Sequence, residues 1–212
     1  MEQACKAKIP VIVLDRSVDT DCYTSFIGGD NVQAGQKAGE LALKLLPNGG
    51  NVAEITGLKS NQPQKDRNKG FRDAIKKNPK IKVVAAREGK WLKEEGTKVM
   101  SQILQRGDEI DLVFAHNDPM ALGAQLAAVR AKQPAIKFIG IDGLATSDGG
   151  IKAVQDKTLA GSFIYPTGAE EAAASIEALR KGEKVEKDQI LDIEPVTPDN
   201  ATQLFKEYNI PE

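Results

Sequence analysis

Aspartate, arginine and asparagine recur in this 212-residue chain where short apolar runs stop. Val11–Leu14 runs into Asp15-Arg16, and Asp111–Ala115 into His116-Asn117-Asp118. Lys137–Ile141 is followed by Asp142-Gly143, and Gly161–Ile164 by Tyr165-Pro166. After Asn51–Thr56 a polar loop leads to Asp66-Arg67 at the start of a helical pattern. In open parallel α/β sheets, ligands sit in the crevice beyond the carboxyl ends of the strands, so these residues are placed to converge. The set suits a polyhydroxylated ligand. A hydroxyl both donates and accepts: Asp accepts from it, Arg donates to adjacent oxygens through a planar fork, and Asn does either. An aromatic face against apolar C–H groups would complete the site, and Trp91 is the only Trp.

Each of these residues also has a local reading, and the sequence leaves those readings open. Asp118 fits a helix cap, and Asp142 before Gly143 fits a turn. Arg16 can pair with Asp15 or Asp19, Arg67 can lie on a helix face, and Trp91 can plug an edge of the core. His116, the only His, reads as a structural neighbour of the site rather than a catalyst. Convergence on strand ends is what weighs these residues together.

The elements that must position them alternate along the chain. Strands are expected at Ile9–Leu14, Ser25–Gly28, Asn51–Thr56, Ile81–Ala86, Asp111–Ala115, Lys137–Ile141, Gly161–Ile164 and Gln189–Ile193. Continuous β-branched runs such as Val11-Ile12-Val13 fit parallel strands buried on both faces. Helices are expected between them. Val32–Leu46 follows the capping types Asp30-Asn31, and Asp66–Lys77 ends at Asn78-Pro79. Leu92–Gln105 precedes Gly107, and Asn117-Asp118-Pro119 opens a helix to about Ala131. Thr167 and Glu170 have capping-box spacing for a helix ending near Gly182. Such alternation implies an α/β fold with mostly parallel sheets. The stretches Lys184–Asp188 and Pro195–Pro198 are the expected crossings between lobes.

Composition narrows the functions. With 29 basic and 30 acidic residues the net charge is −1, which gives no electrostatic reason to expect a nucleic-acid or membrane partner. Aromatics are 5%, so the core must be mainly aliphatic. No stretch approaches the ~20 apolar residues of a membrane span. Residues 1–8 carry Glu2, Lys6 and Lys8 and lack the apolar run of a leader. Cys5 and Cys22 read as inert thiols rather than a bridge, and neither has Cys or His at metal spacing, so no metal or cofactor is expected. No G-x-G-x-x-G follows a strand and no G-x-x-x-x-G-K-[ST] occurs. A single His limits general-base options, so an enzyme is not expected. A carboxylate pair for glycoside hydrolysis stays open as the enzymatic alternative.

At these same residues the sequence resembles the type I periplasmic binding protein family, in its ribose- and galactose-binding branch; LacI-type regulators share that fold. The matching segments are Ile-Pro-Val-Ile-Val-Leu-Asp-Arg (9–16), Ile-Gly-Gly-Asp-Asn (27–31) with Gly35 and Gly39, and Asp66-Arg67-Asn68-Lys69-Gly70-Phe71. Phe-Ala-His-Asn-Asp-Pro-Met-Ala-Leu-Gly (114–123), Ile-Gly-Ile-Asp-Gly (139–143) and Tyr-Pro-Thr-Gly (165–168) follow in order. The resemblance implies two parallel-sheet lobes with helices on both faces, closing on a small ligand. It assigns 1–29 to the N-terminal lobe, 30–160 to the C-terminal lobe, 161–185 to a return segment of the first, and 186–212 to the end of the second with a hinge crossing. By the same resemblance Asp15 and Arg16 come from one lobe, Arg67, Asn117 and Asp142 from the other, and Trp91 stands where a stacking aromatic belongs. The last polar position of the pattern falls on Ile164, which argues against ribose itself.

The family pattern begins with further strand–helix units of roughly 30 residues each, so about 80–90 residues of the N-terminal lobe are missing from the match. An incomplete lobe implies weak or absent monosaccharide binding by this chain alone, and self-association through uncovered apolar faces. The implied function is a monosaccharide receptor of a bacterial ABC uptake system, periplasmic, working with a membrane permease. The alternative is the sensing domain of a sensor kinase or of a LacI-type regulator.

Overall fold

The computed structural model describes residues 1–209. In chain order the elements are α1 (Glu2–Lys6), β1 (Ile12–Leu14), β2 (Ser25–Gly29), α2 (Asn31–Leu45), β3 (Gly50–Thr56) and α3 (Gln62–Ile75). Next come β4 (Ile81–Glu88), α4 (Lys93–Gln105), β5 (Leu112–Ala115), α5 (Asp118–Arg130), β6 (Lys137–Ile139) and α6 (Gly150–Gln155). The chain continues through β7 (Ser162–Ile164), α7 (Ala169–Arg180), β8 (Asp188–Leu191), β9 (Glu194–Val196) and α8 (Ala201–Tyr208). Two compact units result: Met1–Asp30 with Pro166–Ile193, and Asn31–Tyr165 with the segment from Glu194 onward.

The smaller unit holds a parallel sheet in the order β1-β2-β8, with α7 packed on β2. Its interior joints are partly polar. Gln189 Nε2 donates to the hydroxyls of Ser25 and Ser175, and Ser25 Oγ donates to the Glu186 carbonyl. Beyond β1, Asp15 turns into the left-handed region (φ 67) while its N–H donates to the Ile27 carbonyl. Aspartate tolerates that conformation better than most residues.

Cys5 and Cys22 form a disulfide, with Cα atoms 5.9 Å apart, which corrects the expectation of free thiols. The cause is tertiary. The turn after α1 and the loop after β1 bring residues 17 apart within bridging distance, a closure that spacing alone does not reveal.

The larger unit is built on the parallel order β4-β3-β5-β6. Isolated parallel bridges, Ile139 to Gly161 and Asp142 to Ile164, carry it on toward β7, which pairs antiparallel with β9. The continuous apolar run of β5 is buried throughout, as strands covered on both faces require. Phe71 of α3 stacks on Phe114 of β5 with ring centroids 4.3 Å apart. Helices approach closely through glycines. A Cβ on Gly35 of α2 would stand 2.1 Å from the Arg67 carbonyl oxygen of α3, and one on Gly123 of α5 would stand 2.0 Å from that of Lys93 in α4.

Several expectations are corrected. The chain crosses between units near 30, in line with the expected boundary at 29–30, and near 165 and 193, whereas 160, 184–188 and 195–198 were expected. Residues 161–165 stay in the larger unit because β7 pairs with β9 and bridges to Ile139 and Asp142; β8 joins the smaller unit because it pairs with β2. The capping box at Thr167 and Glu170 does not form. Gly168 caps α7 in a left-handed conformation (φ 71) without a side-chain bond, and Ile27 lies where its Cβ would be. The short α1, α6 and α8 carry too little periodicity to stand out in sequence.

Candidate functional site

Four of the six sequence-predicted site residues, Arg67, Trp91, Asn117 and Asp142, meet in the larger unit around the carboxyl ends of β3, β5 and β6. Arg67 is the hub. It lies on α3 and is only 5% exposed, so the reading of a solvated helix face fails. Its Nε donates to Asn31 Oδ1 at 2.8 Å, and a terminal nitrogen donates to the His116 carbonyl. The same terminal nitrogen stands 3.7 Å from the Asp142 carboxylate. The guanidinium lies over the rings of Tyr165 (4.9 Å) and Trp91 (5.5 Å). Asn31 also donates to the Tyr165 hydroxyl at 3.0 Å, which closes the circle.

Asp142 sits in the irregular stretch after β6 with φ 133. Its N–H donates to the Phe163 carbonyl and its own carbonyl accepts from the Tyr165 N–H, so the backbone is held along β7 while the carboxylate approaches Arg67. Trp91 follows Lys90, and both adopt left-handed backbone (φ 54 and 69). The indole lies against Gly57, where a Cβ would come within 2.0 Å of the ring. Its Nε1 is buried without a hydrogen-bond partner. Asn117 caps α5 by accepting from the Met120 N–H at 3.1 Å and donates to the Trp91 carbonyl at 3.1 Å.

Asp118 is not the helix cap; Asn117 is. The Asp118 carboxylate instead accepts from the Gly143 N–H and the Ser162 hydroxyl, each at 2.7 Å. It therefore ties the start of α5 to the turn that carries Asp142. Burial pushes its pKa up to about 6, with the Ser162 and Gly143 bonds and the Arg67 charge opposing.

His116 is fully buried, and its Nε2 lies 2.9 Å from Glu54 Oε1. Glu54, buried in β3, also accepts from Asn68 (2.8 Å) and Arg72 (2.6 and 2.8 Å). Burial pulls the His116 pKa down, with the Glu54 contact opposing; because a carboxylate only accepts, Nε2–H is the donor to Glu54. Burial alone would raise Glu54, but the His116 bond, Arg72 and Asn68 outweigh it and hold the carboxyl below its usual range.

Asp15 and Arg16 belong to the smaller unit, where they pair with each other at 3.6 Å with side chains 55% and 59% exposed. Ile164, at the last polar position of the pattern, is half-buried and bridges to Asp142. Sequence reasoning missed Glu54 and Asn31 as partners of the site, and noted Tyr165 only as a residue following a strand. A lone carboxylate inside the apolar run Val52–Ile55 was the available signal for Glu54. Among the described residues no group of His, Cys, Asp or Glu is placed to hold a metal ion, and no helix is long and apolar enough to cross a membrane.

A parallel α/β sheet with its polar residues gathered at the strand ends is the layout of a small-ligand-binding protein. The periplasmic binding protein domain matches residues 1–184, and the chain belongs to that family. It is 34% identical over 199 residues to the ribose import binding protein RbsB of Salmonella typhimurium, covering 92% of this chain and 66% of that protein. The fructose-binding periplasmic domain of a hybrid two-component system superposes with a TM-score of 0.93 at 33% identity, covering 97% of this chain and 69% of the other. A Bacillus halodurans solute-binding protein with bound myo-inositol gives 0.89 at 32% identity, covering 98% and 72%. The chain thus spans about two thirds of the length of these relatives.

Proposed function

We propose that this chain binds a monosaccharide or a related polyol and does not turn it over, as part of a periplasmic receptor for an ABC importer with its membrane permease. The observation that carries this reading is the fixed Arg67, held by Asn31, His116 and Asp142 between two aromatic rings. Its N–H groups and the Asp142 carboxylate offer a donor and an acceptor to vicinal hydroxyls, Asn117 adds its second amide N–H, and Trp91 adds an apolar face. The binding partners named for the relatives, ribose, fructose and myo-inositol, are all polyhydroxylated. The Cys5–Cys22 disulfide suits an oxidising compartment such as the periplasm.

Titration calorimetry with D-ribose, D-fructose and myo-inositol tests the reading. At least one is expected to bind. Arg67→Lys, which loses the planar fork, should weaken that binding by about tenfold or more. No heat with any of the three, or binding indifferent to Arg67→Lys, would overturn it.

A second reading, the sensing domain of a two-component system, is favoured by the TM-score of 0.93 to such a domain. Capture of a permease or of a kinase by the sugar-loaded protein separates the two.

A further inference from the structure

We propose that Glu54 and His116 are positioning residues for the sugar, acting together as one buried brace that fixes Arg67; the proposal rests on Arg67 being the sugar's anchor. Arg67 is a side chain of α3, and the carbonyl that receives it belongs to His116, at the turn between β5 and α5. One carboxylate ties the two elements that carry that contact. On one side Glu54 takes Asn68, next to Arg67 on α3, and Arg72, further along the same helix. On the other it holds the His116 ring through Nε2, while the His116 N–H donates to the Ile55 carbonyl beside it. Helix and turn therefore cannot shift independently, and the guanidinium stays in register with its acceptor.

A buried carboxylate is a costly way to hold a core together, since packed apolar side chains of similar volume do as well or better. What it adds is direction. Charge-assisted bonds constrain angle as well as distance. Here they constrain the one side chain that carries a donor fork to the site. None of the four side chains of the brace need touch the ligand. His116 Nδ1 is buried without a partner, which places the ring's single bond, to Glu54, at the centre of its role.

The test has a readout that needs no sugar. In 15N-labelled protein the Arg67 Nε–H, buried and donating to Asn31, gives a slowly exchanging signal. His116→Phe keeps a ring and removes the donor; it is expected to speed that exchange by about tenfold and to weaken D-fructose or D-ribose binding about fivefold. His116→Gln, whose amide can donate to Glu54, should retain most of both. Val154→Ala, in the core of α6, serves as a control that lowers the thermal midpoint without reaching the brace. Where His116→Phe does not fold, Asn68→Ala removes one bond to Glu54 and is read the same way. Unchanged Arg67 exchange in the brace variants, at a midpoint loss equal to that of Val154→Ala, would overturn the proposal. Should neither sugar bind the unaltered protein, the functional reading fails, and the exchange data still decide whether the brace fixes Arg67.

Discussion

The larger unit buries a continuous apolar layer, including Ile55, Phe71, Met100, Leu112, Phe114, Ile139 and Ile151. The smaller unit buries Ile27, Ala172 and Ile193 but leaves Ile9, Leu14, Val18, Ile176 and Ile190 exposed. The larger unit is held by packing that needs no help, whereas the smaller relies on a disulfide and on the Ser25–Gln189–Ser175 relay. Surface that stays wet contributes nothing to folding, so the two units should differ in how easily they open.

The sharpest way to break this comparison is Phe71→Ala. It removes a ring stacked on Phe114 one helical turn from Arg67, and should cost about 4 kcal/mol of unfolding free energy, read by denaturant titration. A loss near that of a surface substitution would mean that the larger unit is not packed as described. Next comes Cys5→Ser with Cys22→Ser. Opening a loop of this length should cost about 3 kcal/mol, and hydrogen exchange should show the loss in β1 and β2 while β3 and β5 stay protected.

Asp118 gives a smaller and pH-dependent effect. Its folded value of about 6 lies above the ordinary 3.8, so between the two the folded protein holds a proton that the unfolded chain has released. Stability from this group is present below the unfolded value and falls as pH rises through the folded one. Asp118→Asn should flatten that slope, of the order of 2 kcal/mol in thermal or denaturant unfolding between about pH 4 and pH 7. An unaltered pH profile would show that Asp118 is not the titrating group. The smallest effect concerns the exposed side chains of the smaller unit. Ile176→Lys with Ile190→Lys should change stability by less than about 0.5 kcal/mol yet reduce self-association at high concentration, measured by sedimentation. A protein that is monomeric before the change would remove the case for an adhesive surface there.

Much of the larger unit could be read before its structure. Apart from β9, the strands of the larger unit fell where apolar runs predicted them, and Arg67, Asn117 and Asp142 could be picked out because polar residues after parallel strands share an end of the sheet, while Trp91 stood out as the only Trp. What stayed hidden was what those residues bind to. Asp118 has the residue type and position of a cap, and only the fold brings Ser162 and Gly143 within 2.7 Å of it. Arg67 meets Asn31 and His116 across separations of 36 and 49 residues, beyond any local signal. The disulfide was misjudged for the same reason: closure of the segment from Cys5 to Cys22 depends on a turn and a loop that periodicity does not describe.

The missing side chain at Gly35 has one more consequence. Because the backbones of α2 and α3 meet with no cushion between them, Asn31 and Arg67 travel as a single block, and that part of the molecule has almost no tolerance for substitution. Ile164, half-buried beside this block, takes no part in the hydrogen bonds that hold Arg67. On the proposed reading of Arg67 as the sugar's anchor, ligand preference is editable at Ile164 while the anchor is kept, and a library randomised there is the natural place to look for altered taste without loss of the fold.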